Sequence, residues 1–237
     1  MSPRIEVLVS PGCPHAPPAI ELAKEVCGSL CPAAVIATVT ITTEAEARSA
    51  DFAGSPTIRV DGRDIEPASG SPGVLACRVY EGGSGVPARW KLEAAVLRSL
   101  APKHLLFLCV ANSARSQMAE GIAGSLAPQG VLISSAGSVP TTVRPQAIEA
   151  LREIGIDISS QRSKSIDAVD ASSVQAVITL CAEEVCPASL GGSWRLHWGL
   201  ADPAAAAASP AHGLEAFRTV RDKLWERLVY LFRGWAP

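Results

Sequence analysis

The segment Cys109-Val110-Ala111-Asn112-Ser113-Ala114-Arg115-Ser116 puts a cysteine at the end of an apolar run. Five residues loop round before an arginine and a serine open a helical stretch. Those residue types in that order make a nucleophile and its cradle. Successive main-chain N–H groups of such a loop, meeting a helix N-terminus, form a nest for an anion. Val110, Ala111, Asn112, Ser113, Ala114, Arg115 and Ser116 are therefore the candidate oxyanion-binding residues. Arg115 closes the nest with a planar, two-toothed grip on a tetrahedral oxyanion. The same positive field favours a thiolate at Cys109, and Ser116 is placed to donate a hydrogen bond to it.

Six further cysteines stand at 13, 27, 31, 77, 181 and 186, which makes an odd total of seven. The first residues, MSPRIEVLVSPG, turn too early for a signal peptide. A cytoplasmic chain with reduced, partly reactive thiols is expected, not a disulfide framework. Cys181 follows an apolar strand and Cys186 comes five residues later. A zinc site built on this pair with His197 would lack a fourth ligand at zinc spacing, so neither a metal nor another cofactor is expected.

These groups need a scaffold, and the pattern supplies one. From residue 103 the chain alternates. LLFLCV (105–110), Val131–Ser134 and Val174–Leu180 read as buried strands. Ser113–Leu126, Pro145–Ile154 and Leu214–Phe232 read as helices. That predicts a parallel sheet with helices on both faces. Before it, IEVLVS (5–10), Ile20–Val26, Val35–Ile41, a helix opened by Thr43, a hairpin turning at Asp61-Gly62 and Pro87–Leu97 give strand, helix, strand, helix, strand, strand, helix. Seven of the eleven aromatics lie from Trp194 onward. This shift and Pro102 suggest two domains, 1–100 and 101–237. With 21 Lys+Arg against 23 Asp+Glu and no basic excess in either part, nucleic acid is not an expected partner. No apolar run approaches the ~18 residues of a membrane helix, so no membrane partner is expected either.

Residues 103–235 resemble the low-molecular-weight tyrosine phosphatase superfamily and, within it, the thioredoxin-coupled arsenate reductases. The likeness rests on CVANSARSQMAEG (109–121), SSAGS (134–138), IGIDIS (154–159), VITLCAEEVCP (177–187) and HWGLADPA (197–204). It implies a four-stranded parallel sheet flanked by helices and reduction of arsenate to arsenite. A phosphatase needs one cysteine, whereas two-electron reduction needs a thiol pair. The resemblance makes Cys109 the nucleophile, Cys181 the first resolving thiol and Cys186 the second. Thioredoxin or a similar thiol reductant would be the partner. The four residues between Cys181 and Cys186 are fewer than is usual in those reductases. Asp202, before Pro203, would be the general acid, in a site that buries it beside Cys109. Ala204-Ala205 stands where the phosphatases have tyrosines, which disfavours phosphotyrosine. Asn112, Glu120 and Ser135 match a potassium site of some related reductases. Lys164 stands in for a further carboxylate there, so no potassium requirement is expected. The alternatives are a phosphatase on the same cradle or a non-catalytic arsenite-binding thiol protein.

Residues 1–99 resemble a thioredoxin-fold domain. Cys13 sits in Pro-Gly-Cys-Pro-His, and Gly54-Ser55-Pro56-Thr57 is similar to that fold's cis-proline segment, whose edge would be free to pair with a substrate chain. The usual second cysteine is Ala16 here, which leaves Cys77 as a distant resolving thiol. The domain would either reduce the second domain's disulfide or serve as a docking module. Cys27 and Cys31, four apart on one helix face, are read as packing residues.

Overall fold

The computed structural model describes residues 2–66, 73–181, 190–206 and 213–235. The chain divides into two compact units, Met1–Leu100 and Ala101–Pro237.

The first unit runs β1 (Arg4–Val9), α1 (Ala16–Leu30), β2 (Val35–Thr40), α2 (Glu44–Ser49), β3 (Thr57–Val60), β4 (Arg63–Asp64) and α3 (Arg89–Leu100), in the order the hydrophobic pattern predicts. Its sheet has the order β2-β1-β3-β4. β1 is parallel to β2, as a helical crossover requires, and antiparallel to β3. Thr43 begins α2 with a reciprocal capping box to Glu46. Asp61 and Gly62 both take positive φ, the conformation that a two-residue hairpin demands.

Two details depart from expectation. α1 ends at Leu30, so Cys31 is its cap and not a helical residue. Both Cys27 and Cys31 are still buried, and burial together with Cys31 pushes the Cys27 thiol up to about 11. The Ser55–Pro56 bond is cis, but the edge beside it is not free. The Ser55 N–H donates to Ala76 O at 2.8 Å, and the Arg78 N–H donates to Ser55 O at 2.9 Å. Arg78 draws its own segment onto that edge because its guanidinium is buried against Asp64, Thr57 and Tyr80.

The second unit runs β5 (His104–Cys109), α4 (Arg115–Leu126), β6 (Leu132–Gly137), α5 (Pro145–Arg152), β7 (Ala176–Cys181), β8 (Trp194–Leu200), a short α6 (Pro203–Ala206) and α7 (Gly213–Phe232). The sheet order is β6-β5-β7-β8 and every pair is parallel. Every residue of the two central strands, β5 and β7, is buried. Leu106 and Leu108 meet Val177, Val174 and Leu190 on one face, which among the described residues is covered by Ile166 and Val169. α4, α5 and α7 pack on one another. α7 buries Phe217, Val220, Leu224, Leu228 and Leu231, a stripe at three- and four-residue spacing. Glu153 ties α5 to α7 through Arg218 and Arg221, which hold its carboxyl down to about 2. β8 completes the four-stranded sheet that the resemblance implies, although the sequence reading places no strand at its own residues. Its buried Leu196, Trp198 and Leu200 alternate with exposed His197 and Gly199, the signature of an edge strand.

Buried His104 opens β5 between Ser134 (2.7 Å) and Ser173 (3.1 Å). Desolvation holds its pKa below the usual histidine value. The unfolded chain therefore takes up this proton first as pH falls. The stability that the neutral ring supplies is complete above pH ~6.5 and is lost as pH drops toward the folded-state value. The low pKa of Glu153 acts only further down, below pH ~4.5. Urea unfolding followed by tryptophan fluorescence should therefore show a midpoint that falls between pH 7.5 and 5.5. His104→Gln should flatten that slope.

Candidate active site

The second unit's site gathers at the carboxyl ends of its strands, where parallel sheets place their crevices. Cys109 ends β5 opposite Gly137 at the end of β6, and Cys181 ends β7 opposite Leu200 at the end of β8. The β7–β8 register shifts between Thr179 and Cys181.

The loop after Cys109 is held from outside. Val110 O accepts from the Val139 N–H (2.9 Å), Ala111 O from the Thr141 N–H (3.0 Å) and Ser113 O from the Arg144 N–H (2.8 Å). Asn112 O accepts from Ser163 Oγ at 2.6 Å. The N–H groups of Ala111 to Ala114 make no hydrogen bond to any described residue. Carbonyls committed outward with amides left over is the arrangement that an anion nest requires.

Asn112 is the hub. It takes φ +44°, a conformation that asparagine tolerates better than most residues. Its Nδ2 donates to Ser116 Oγ and Ser135 Oγ, each at 2.8 Å. Its Oδ1 accepts from Gln117 Nε2 (2.9 Å) and the Lys164 N–H (2.7 Å). Ser116 Oγ is also 2.9 Å from Cys109 Sγ, so Cys109 is tied into the same network. Behind it, Ser135 Oγ donates to Glu120 Oε2 at 2.5 Å, and Lys164 Nζ stands 3.2 Å from that carboxylate. The ammonium thus meets this group at Glu120, while the Lys164 main-chain N–H meets it at Asn112.

Arg115, the first residue of α4, is buried. One guanidinium nitrogen donates to Leu200 O at 2.9 Å, and another is 3.5 Å from Asp202 Oδ2. The Asp202 side chain is 47% exposed, where burial was expected, because it also caps the turn into α6 by accepting the Ala204 N–H. Cys181 Sγ accepts the Val110 N–H at 3.2 Å, which brings it to the residue next to Cys109. Cys186 lies outside the described residues. His197 bonds to Thr179 at 2.8 Å on the edge strand. Cys13 and Cys77 belong to the first unit.

Sequence reasoning passed over Leu200, whose carbonyl aims the arginine, and the Val139–Arg144 clamp. Both act through the main chain, which carries no side-chain signal. Gly137 was visible only inside SSAGS. A Cβ there would lie 2.4 Å from Val110 O and 2.8 Å from the Asn112 nitrogen.

Residues 104–234 match the family described as low molecular weight phosphotyrosine protein phosphatase. The chain belongs to this family. The arsenate reductase of Halalkalibacterium halodurans is 42% identical over 128 residues, which cover 53% of this chain and 92% of that protein. The glutaredoxin arsenate reductase of Synechocystis sp. is 38% identical over 134 residues, 54% of this chain and 95% of that protein. A solved arsenate reductase in the phosphate binding state superposes with a TM-score of 0.50 at 37% identity. It covers 56% of this chain and 99% of its own.

Gly137→Ala should push the loop off its carbonyl clamp. An overpacking cost of ~1–3 kcal/mol, if it falls on the bound loop, corresponds to phosphate binding weakened roughly 5- to 150-fold. Titration calorimetry with phosphate checks this, with the unfolding midpoint measured alongside.

Proposed function

We propose that this chain reduces arsenate to arsenite with a cysteine relay. One observation carries the reading: a second thiol, Cys181, accepts a hydrogen bond at 3.2 Å from the amide that follows Cys109. Ester hydrolysis in this family's cradle has no use for that thiol, whereas two-electron reduction needs it. The arsenate reductases that match the chain support the same substrate. The residues after Asp202 are the small Pro203–Ala206 of α6, with no aromatic to flank an aryl ester.

In this mechanism the nest and Arg115 bind the arsenate oxygens. The Cys109 thiolate attacks arsenic(V), an As–S bond forms and one oxygen leaves as water, protonated by Asp202. The Cys181 thiolate then attacks Cys109 Sγ. The S–S bond forms as the As–S bond breaks, and its electron pair stays on arsenic, which departs as arsenite. Cys186 attacks Cys181, frees the Cys109 thiolate and leaves a 181–186 disulfide for a thioredoxin- or glutaredoxin-type reductant. Asn112 holds the loop and Ser116 holds the thiolate. Lys164 supplies a fixed positive charge to Glu120, so turnover should be equal in sodium and potassium buffers. We further assign the first unit, with its β2-β1-β3-β4 order, to a thioredoxin-like domain spanning residues 1–100, with the reductase domain at 101–237.

The test is arsenate-dependent NADPH oxidation with a thioredoxin or glutaredoxin system supplied. Cys109→Ser and Cys181→Ser should each abolish turnover. Arg115→Lys, which loses the two-toothed grip, should lower kcat/KM about 10²-fold. Full turnover by Cys181→Ser would overturn the relay.

In the same assay, Lys164→Met should lower kcat/KM in sodium buffer and regain part of it in potassium. The lone Glu120 carboxylate then takes up a cation from solution.

A further inference from the structure

Of the four first-unit cysteines, none of which the arsenate mechanism uses, Cys13 and Cys77 are carried by segments that converge. Cys13 lies in the turn after β1, where its N–H donates to Ser10 O at 3.3 Å. The Ser10 N–H donates to Ser55 Oγ at 3.0 Å, so the Cys13 turn is fastened to Ser55. On its other side Ser55 forms a parallel bridge with Cys77, closed by the hydrogen bonds to Ala76 O and from the Arg78 N–H. Ser55 thus joins the two cysteine-bearing segments at one end of the sheet. A second contact joins the same segments. A Cβ on Gly85 would lie 2.4 Å from the His15 ring, so the chain beyond Cys77 packs on the residue two after Cys13.

The Cys77 segment is bolted in place. The Arg78 guanidinium is buried and grips Asp64 with two bonds of 2.7 and 3.0 Å, Thr57 Oγ1 at 3.0 Å and the Glu66 carbonyl. Side chains alternate along an extended segment, so the burial of Arg78 leaves Cys77 turned outward, and it is exposed. Cys13 is partly exposed. By contrast, Cys27 and Cys31 are buried. An edge that would receive an extended thiol-bearing peptide is filled from within by an extended segment carrying a cysteine.

We propose that Cys13 and Cys77 form a dithiol–disulfide couple that reduces a disulfide substrate, with Cys77 replacing the nearby second cysteine for which Ala16 leaves no thiol. The Cys13 thiolate attacks the substrate disulfide, forms a mixed disulfide and releases one substrate thiolate. The Cys77 thiolate then attacks Cys13 Sγ, forms the 13–77 bond and releases the second. The substrate gains two electrons and the dithiol loses two. The couple does not depend on the arsenate reading.

The test uses the reduced full-length chain and glutathione disulfide, followed by alkylation, proteolysis and mass spectrometry. The expected product is a Cys13–Cys77 disulfide, with Cys27 and Cys31 alkylated only after denaturation. Cys77→Ser should instead stop at a Cys13–glutathione mixed disulfide, and Cys13→Ser should leave Cys77 unpaired with any protein thiol. A wild-type chain that retains the mixed disulfide, pairs Cys13 with Cys27 or Cys31, or leaves Cys13 and Cys77 unreacted overturns the proposal. A second arm identifies the substrate. The pre-reduced chain is given excess arsenate and no reductant. Two arsenites per wild-type chain against one for Cys13→Ser identify the 181–186 disulfide as the substrate. One arsenite for both identifies an external disulfide.

Discussion

An amide can face an anion only if the carbonyl it is bonded to is satisfied somewhere else. The second unit is built around that constraint. Between Val110 and Ser113 each carbonyl is bonded outward, three to the Val139–Arg144 segment and one to Ser163. Asn112 makes the geometry hold. It accepts the left-handed conformation and spends its whole side chain on four bonds to Ser116, Ser135, Gln117 and the Lys164 amide. With each of those carbonyls bonded, the loop's conformation is set by the protein itself. That is the preorganisation on which oxyanion stabilisation depends.

The parallel sheet supplies the rest because all its strands point one way. Cys109, Gly137, Cys181 and Leu200 are the last residues of four different strands. They form a site because parallel strands end at the same edge. Gly137 is small so that the loop can close over it, and Leu200 contributes only a carbonyl, which aims the arginine. In the first unit, too, a buried polar side chain decides where a segment lies. Buried Arg78 draws an extended segment onto the edge beside Ser55, so an edge of the type that would receive a foreign chain carries the unit's own Cys77.

Much of the fold was legible. Apolar runs without alternation marked β5 and β7 because both are buried on two faces, and the helix start at Thr43 and the Asp61-Gly62 turn announced themselves through local chemistry. β8 escaped because an edge strand shows one face to water and reads as broken. Cys31 was placed within a helix because four-residue spacing cannot reveal where a helix stops. The edge beside Ser55 was read as open because a hydrogen bond between residues 55 and 78 leaves no trace in either local pattern.

By itself the sequence determined the residue types and the local geometry. It placed a cysteine, a five-residue loop and an arginine between a strand and a helix. These follow from periodicity, turn preference and spacing, all of which act over a few residues. Tertiary structure alone decided which amide meets Cys181, which carbonyl steers Arg115, that Lys164 comes to Glu120, and that Cys77 takes the edge beside Ser55. The physical reason is that each of these is a main-chain or charge contact between residues tens of positions apart. Such contacts form only when buried polar groups must find partners wherever the packed core has brought them.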